Sequence, residues 1–298
     1  MGEAGREVGI DTGPGGRRLS ILGRATKADI RLDPYPHVVV HDALPEDVYR
    51  QLDAEFPEFD WIAGSEAREN NRACLKPAAQ ALGSSQVSRL WQAFFEYHLS
   101  AAFFDEFVAL WGPTVLAQHP GFQANFGKAL KDFEVGVRAT GKSEASDNRE
   151  ADVVLDCVFG VNTPVWQPTP VRGPHIDSPF KLFSSLLYFR RVDDDSVGGD
   201  HQMFRLRRRM YPRARLKKIP GRYVEPVGRV PYRANTLLFW LNGVSAIHGV
   251  TARGVTSVPR RYVATMGECY GGTARDGFFA HHPQWESTLG RARSLLNR

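Results

Sequence analysis

The chain has 298 residues, 42% of them apolar, and a formal charge of +5. That composition supplies a sizeable buried core, in one large domain or two small ones. Cys74, Cys157 and Cys269 are odd in number, far apart and without Cys-x-x-Cys spacing, which argues against a disulfide framework or a thiolate metal site and for a reducing, cytoplasmic setting.

The positive charge is local. Between Arg205 and Arg222 there are nine basic residues and no acidic one, and with those nine taken from +5 the rest of the chain sums to −4. One basic stretch on a slightly acidic body can attract an anionic partner, and Arg207, Arg208 and Arg209 are then its candidate contacts. It reads equally well as a solvated connection between strands. A nucleic-acid partner is disfavoured, because only Tyr211 and Tyr223 lie near enough to stack on bases.

Residues 1–28 are rich in Gly and Arg, lack the apolar run of a secretion signal, and are expected to form a flexible leader. No apolar run approaches membrane-spanning length. Residues 38–41 predict a short β-branched strand. Leu44-Pro45-Glu46-Asp47 then opens a helix, with proline and acids in its first turn, that should stop before Phe56-Pro57. Residues 60–83 look irregular. Ser84 or Ser85 can cap the next helix, on which Val87, Leu90, Trp91, Phe94, Phe95 and His98 share a face. A continuation carries Ala102, Phe103, Phe107, Leu110 and Trp111, and Gly112-Pro113 should end it. These aromatics read as core.

After a polar loop over 139–151 the pattern changes to short strands: 153–159, 165–171, 182–189, 202–206, 223–230, 236–241, 246–250 and 262–266. That many strands with Gly, Pro and Asn between them fit a mainly β protein with a closed jelly-roll of the cupin type, a double-stranded β-helix, with the helical first half covering one sheet. A single domain is expected over 29–270, with helical support at 44–135 and the jelly-roll at 151–270. A C-terminal tail then runs over 271–298 and ends in a short basic helix.

Two islands carry the chemistry. The first is His175-Ile176-Asp177, in Gly173-Pro174-His175-Ile176-Asp177-Ser178-Pro179-Phe180-Lys181. In a strand, alternate residues share a face, so imidazole and carboxylate point the same way. The second is His248, followed by Arg260-Arg261-Tyr262. Two imidazoles and a carboxylate can hold a ferrous ion on one side and leave the other side open. The remaining histidines (His37, His41, His98, His119, His201, His281 and His282) lack such an arrangement.

Between the islands come the strand-like run ending in Tyr188, the Gly198-Gly199-Asp200 turn, and Asn235-Thr236-Leu237-Leu238-Phe239-Trp240. In this order the motifs resemble the iron(II)/2-oxoglutarate dioxygenases, most closely the prolyl-4-hydroxylase-like branch. The resemblance covers about residues 150–270, and Pro36 to Pro45 also resembles the opening of such proteins. It implies an enzyme in which His175, Asp177 and His248 hold Fe(II). It also implies 2-oxoglutarate and O2 as co-substrates and oxidation of an unactivated C–H bond.

Of Arg253, Arg260 and Arg261, the resemblance favours Arg261 as the clamp for the distal carboxylate of 2-oxoglutarate, within the barrel, with Arg260 facing the other side. Tyr188 is the second candidate for the co-substrate and Ser184 the third. The aspartate at 177 points to hydroxylation, desaturation or ring closure rather than halide transfer, because relatives that transfer halide carry a small residue there. The expected substrate is a small polar metabolite or biosynthetic intermediate. A protein side chain or nucleic acid is the alternative within the same chemistry, and a non-enzymatic cupin-like binding module is the alternative outside it.

Overall fold

The computed structural model describes residues 18–138, 151–207 and 218–270. Among them, ten strands follow in chain order: β1 (His37–His41), β2 (Ala73–Pro77), β3 (Val135–Val137), β4 (Val153–Asn162), β5 (Lys181–Tyr188), β6 (His201–Leu206), β7 (Val224–Val230), β8 (Thr236–Leu241), β9 (His248–Val250) and β10 (Arg260–Glu268). Six α-helices lie in the first half: α1 (Glu46–Ala54), α2 (Phe59–Ala63), α3 (Ala78–Ala81), α4 (Arg89–His98), α5 (Ala101–Gln118) and α6 (Phe122–Phe126). The large sheet runs β1-β8-β5-β10-β4-β2, with β3 added parallel to β4, and the small sheet runs β7-β6-β9. His175 forms an isolated bridge with His248 at the edge of the small sheet. This is the expected jelly-roll buttressed by helices.

The two faces of the large sheet differ in what covers them. Strand β4 is buried at all ten positions, as expected for a strand enclosed on both sides. Its residues Val153, Leu155, Cys157, Phe159 and Val161 join the core beneath the helices. Trp91 meets Phe159 edge-on at 4.8 Å and Phe95 meets it at a tilt at 4.6 Å, both from α4, while Phe107 of α5 meets Phe183 at 4.5 Å. The alternate residues line the barrel interior. There Tyr35, Tyr188, Met203, Tyr232, Leu238, Trp240 and Tyr262 form a second, smaller cluster.

Several boundaries differ from the sequence reading. The cap of α4 is Ser88, whose Oγ accepts from the Trp91 N–H at 3.3 Å, rather than Ser84 or Ser85. Helix α5 runs through Gly112-Pro113 to Gln118. An interior proline costs about 3 kcal/mol, but the turns around it bury Trp111 and Val115 completely, worth roughly 1.5–3 kcal/mol each. The stretch 60–83 contains α2, β2 and α3, and 165–171 forms only the bridges Val165–Thr256 and Thr169–Arg253. Residues 18–28 are not a loose leader. Ser20, Ile21 and Leu22 are buried, and the Ile21 N–H donates to His98 Nε2 at 3.2 Å.

Residues 1–17, 139–150, 208–217 and 271–298, which take in the expected loop, most of the basic stretch and the expected tail, lie outside the described residues. No single described helix is long and apolar enough to cross a membrane. The bent pair α4–α5 reaches that length and composition only jointly, across a 53° break.

Candidate metal centre and anion pocket

The structure brings His175, Asp177 and His248 together. One donor atom from each lies within 4.8 Å of the others, and all three residues are buried. His175 Nε2 and His248 Nε2 stand 3.7 and 3.8 Å from the same oxygen, Asp177 Oδ1. The two rings are 4.3 Å apart. His175 and Asp177 do not sit in a regular strand as expected. The backbone bridge between residues 175 and 248, with His175 N–H donating to His248 O and the reverse, both at 2.9 Å, sets the imidazoles side by side.

The protonation states suit a cation. His175 Nδ1 lies 2.8 Å from Gly173 O, and His248 Nδ1 lies 2.9 Å from Ala246 O. A carbonyl only accepts, so each Nδ1 carries a proton and each Nε2 is the nitrogen that faces the cluster. Burial pushes His248 down to about 3, so it is neutral at physiological pH. Burial is the largest influence on Asp177 and alone would raise it. Lys181, 3.6 Å away, is the largest opposing influence and holds it well below the usual carboxylate range. Because His248 is neutral, the lysine is the cation that matters. Asp177 Oδ2 also accepts from Ser184 Oγ at 2.9 Å, which leaves Oδ1 turned to the imidazoles. Ser184 therefore orients a donor of the cluster instead of reaching toward an anion pocket.

Arginine placement departs from expectation. Arg261 lies on the outer face of β10. Its Nε donates to Phe189 O at 3.1 Å, its Nη2 pairs with Asp53 at 2.5 Å, and its guanidinium covers Phe56. It borders a surface groove of about 510 Å³ with Arg191 and Pro259, away from the histidines. Arg260 is the residue that points into the barrel, so the register of the last strand is one residue from the expected one. Its guanidinium lies 4.9–5.0 Å from the rings of Tyr188, Tyr232 and Tyr262, and its Nη1 donates to Asn162 Oδ1 at 3.2 Å. Only 2% of Arg260 is exposed, yet its Nε and Nη2 have no partner. Those two nitrogens form the side-on fork that grips a carboxylate through two parallel bonds.

Other inward donors are unsatisfied too. Tyr188 Oη, Trp240 Nε1 and Arg253 Nη1 are buried without a partner. Burial pushes the Tyr188 phenol up to about 12, against the nearby Arg260, so it remains a donor. Trp240 packs edge-on against His248 at 5.0 Å. An orphaned buried donor costs about 1–3 kcal/mol. Several of them beside the buried Arg260 therefore leave a cost that a polar, anionic ligand would offset. His201 stacks on His248 at 5.1 Å and bonds Tyr35 Oη at 3.0 Å, outside the donor cluster.

No protein-family model matches the chain, and no curated protein matches it. Solved structures of similar chain path include a prolyl-4-hydroxylase from Pseudomonas putida (16% identity, covering 83% of this chain and 98% of that one, TM-score 0.44). Another is a prolyl 4-hydroxylase from Phytophthora capsici (13% identity, 98% and 78% covered, TM-score 0.46). A third is the non-heme alpha ketoglutarate dependent carbocyclase SnoK from nogalamycin biosynthesis (13% identity, 86% and 85% covered, TM-score 0.39). At these identities the functional reading rests on the site itself.

Arg207 donates to Val224 O at 2.9 Å, which ties it to the β6–β7 hairpin. Arg208 and Arg209 lie outside the described residues. The order of the motifs singled out His175 and Asp177. Nothing comparable separated Arg260 from Arg261, because both faces of β10 are buried.

Proposed function

We propose that the protein is an Fe(II)- and 2-oxoglutarate-dependent dioxygenase that oxidises an unactivated C–H bond of a small polar metabolite or biosynthetic intermediate. The observation that carries this reading is the pairing, inside one barrel, of a His-Asp-His cluster with an orphaned guanidinium fork. Such a pairing suits a metal together with an anionic co-substrate, and a simple binding module has no need of both.

His175 Nε2, Asp177 Oδ1 and His248 Nε2 would hold the ion. A first-row divalent ion binds imidazole at about 2.1 Å, which sets neighbouring donors about 3.0–3.4 Å apart, so the present 3.7 and 3.8 Å need only a small closure. Three protein donors leave open positions for other ligands. O2 would be the oxidant, activated at the bound iron: two of its four oxidising equivalents would be consumed in converting 2-oxoglutarate to carbon dioxide and succinate, which takes one oxygen atom, and two in oxidising the substrate, which takes the other when it is hydroxylated.

The chain's own residues do the positioning. Arg260 and Tyr188 present donors to the distal carboxylate of the co-substrate. Lys181 and Ser184 keep Asp177 ionised and oriented. The apolar lining from Leu238, Met203 and Tyr262 keeps water from the reacting centre.

The opposite end of β10 supports a polar substrate. There Arg138 Nε meets Asp156 at 3.1 Å, its Nη2 meets Glu268, and Tyr270 Oη donates to Glu268, beside Lys181. Phe180 stacks on Tyr270 at 5.1 Å. Fixed charges flanked by stacked rings suit a small molecule with polar groups on a carbon frame.

The test is anaerobic addition of Fe(II) and 2-oxoglutarate. The wild type should develop the visible charge-transfer band of the chelate and, in air, form succinate. Asp177→Ala and His248→Ala should keep the fold and lose both signals. Succinate formation at the wild-type rate in either variant refutes the assigned cluster.

A further inference from the structure

Arg260 is not the only guanidinium in this pocket. Arg253, 1% exposed, belongs to the connection between β9 and β10. Its Nε donates to Ser196 Oγ at 3.0 Å and its Nη2 to Asp194 Oδ2 at 2.9 Å, which occupies one edge of the group. Its remaining nitrogen, Nη1, is enclosed and has no partner.

The turn at Gly198-Gly199 brings the two arginines side by side. A Cβ on Gly199 would stand 3.4 Å from the Cδ of Arg253 and 3.4 Å from the Cδ of Arg260. The glycine is therefore the space that both side chains share. Asp194 pairs with Arg253 at 2.9 Å and also stands 4.0 Å from Arg190, so its negative charge is shared and the arginine pair keeps a net positive charge.

We propose that Arg253 is a second anchor for the co-substrate's distal carboxylate, its free Nη1 completing a four-donor cradle with Arg260 Nε, Arg260 Nη2 and Tyr188 Oη. The inference rests on the 2-oxoglutarate reading and extends it from a single clamp to a second arginine, Arg253, one of the three candidates in the sequence.

The donor count of the cradle matches one carboxylate. A carboxylate accepts about four hydrogen bonds. The fork of Arg260 supplies one to each oxygen, and the Tyr188 hydroxyl and Arg253 Nη1 supply the other two. As a purely structural ion pair, Arg253 would need only the edge that Asp194 and Ser196 already occupy, and its buried Nη1 would stay a cost without return. Asp194 and Ser196 also fix the guanidinium in place, so the cradle cannot widen to suit a different acid. An oxo acid lacking the distal carboxylate would leave four donors unpaired, and a site built to be hydrogen-bonded rejects such a ligand strongly.

The experiment measures equilibrium binding without turnover. The Fe(II) protein is titrated anaerobically by calorimetry with 2-oxoglutarate and, separately, with 2-oxobutyrate, which keeps the oxo-acid head and lacks the distal carboxylate. Arg253→Lys keeps a cation for Asp194 and removes the extra donor. It should raise the Kd for 2-oxoglutarate about 10- to 100-fold, the range for one charge-assisted hydrogen bond, and leave 2-oxobutyrate within about twofold. A folded Arg253→Lys protein with the wild-type Kd for 2-oxoglutarate overturns the proposal.

Should the substitution prevent folding, wild-type protein with 15N-labelled arginine decides. Two buried guanidinium signals should move when 2-oxoglutarate replaces 2-oxobutyrate, and movement of one alone overturns the inference. The two readings fail differently. If Arg260→Met loses 2-oxoglutarate and Arg253→Lys does not, only the second anchor falls. If the wild type does not prefer 2-oxoglutarate to 2-oxobutyrate, the co-substrate reading falls and takes the anchor with it.

Discussion

Exchanging the two adjacent arginines of β10 for methionine tests the register of the site. Arg260 presents Nε and Nη2 to the barrel with nothing bound to either. Two charge-assisted hydrogen bonds are worth about 1.5–3 kcal/mol each. Arg260→Met should therefore weaken 2-oxoglutarate by about 3–6 kcal/mol, roughly two to four orders of magnitude in Kd. Its effect on stability should be small, because the lost contacts with three rings are offset by removal of a buried, half-satisfied charge. Arg261→Met should do the reverse. It leaves Asp53 and Phe189 O without their donor, at a cost of about 1 kcal/mol once the partial exposure of the pair is allowed for, and it leaves co-substrate binding unchanged. Anaerobic titration of the Fe(II) protein, followed by the chelate band, reads the first quantity, and a urea midpoint reads the second. An equal or larger Kd change in Arg261→Met would refute the assignment of the inward face.

Three further expectations follow from single contacts. Ser184→Ala removes the donor that orients Asp177, so metal affinity should fall about 10- to 100-fold with the fold unchanged, measured by competition with a chelator. Gly198→Ala places a Cβ 1.9 Å from Ala252 O at a residue with φ +82°, so it should cost more than about 2 kcal/mol in thermal stability and weaken 2-oxoglutarate by displacing Arg253. His98 is held neutral at about 4 by burial, with Nε2 accepting from Ile21 N–H and Nδ1–H donating to Phe94 O. Its folded value lies below the unfolded 6.5, so the unfolded chain binds the extra proton and stability falls as pH drops through that window. Between pH 7 and 5 this residue should cost about 2 kcal/mol, and His98→Gln should flatten the urea-midpoint profile by that amount. A profile as steep as the wild type in the variant would exclude His98 as its source.

What the sequence determined on its own is local and ordered. His175, Asp177 and His248 were legible from their order among the surrounding motifs, and the tyrosine-ended strand and the Gly-Gly turn because each reflects a short-range constraint on the backbone. The helical aromatics were legible as core because a 3.6-residue period marks one face. The stop expected at Gly112-Pro113 failed for a non-local reason: the buried turns around Trp111 outweigh the proline's local cost.

The tertiary structure decided which arginine faces inward. Strand β10 is buried on both sides, so no polar–apolar alternation distinguishes its faces, and arginine occupies consecutive positions. The choice is made by partners far away in sequence. Asn162 and the three tyrosine rings take Arg260, and Asp53, 208 residues from Arg261, holds the latter on the outer face. The same holds for Arg253, whose place in the pocket depends on Asp194 and on the room left by Gly199. Residue type and order can nominate ligands for a metal. Which buried donors remain without a partner, and so await a ligand, emerges only when the whole sheet has closed around them.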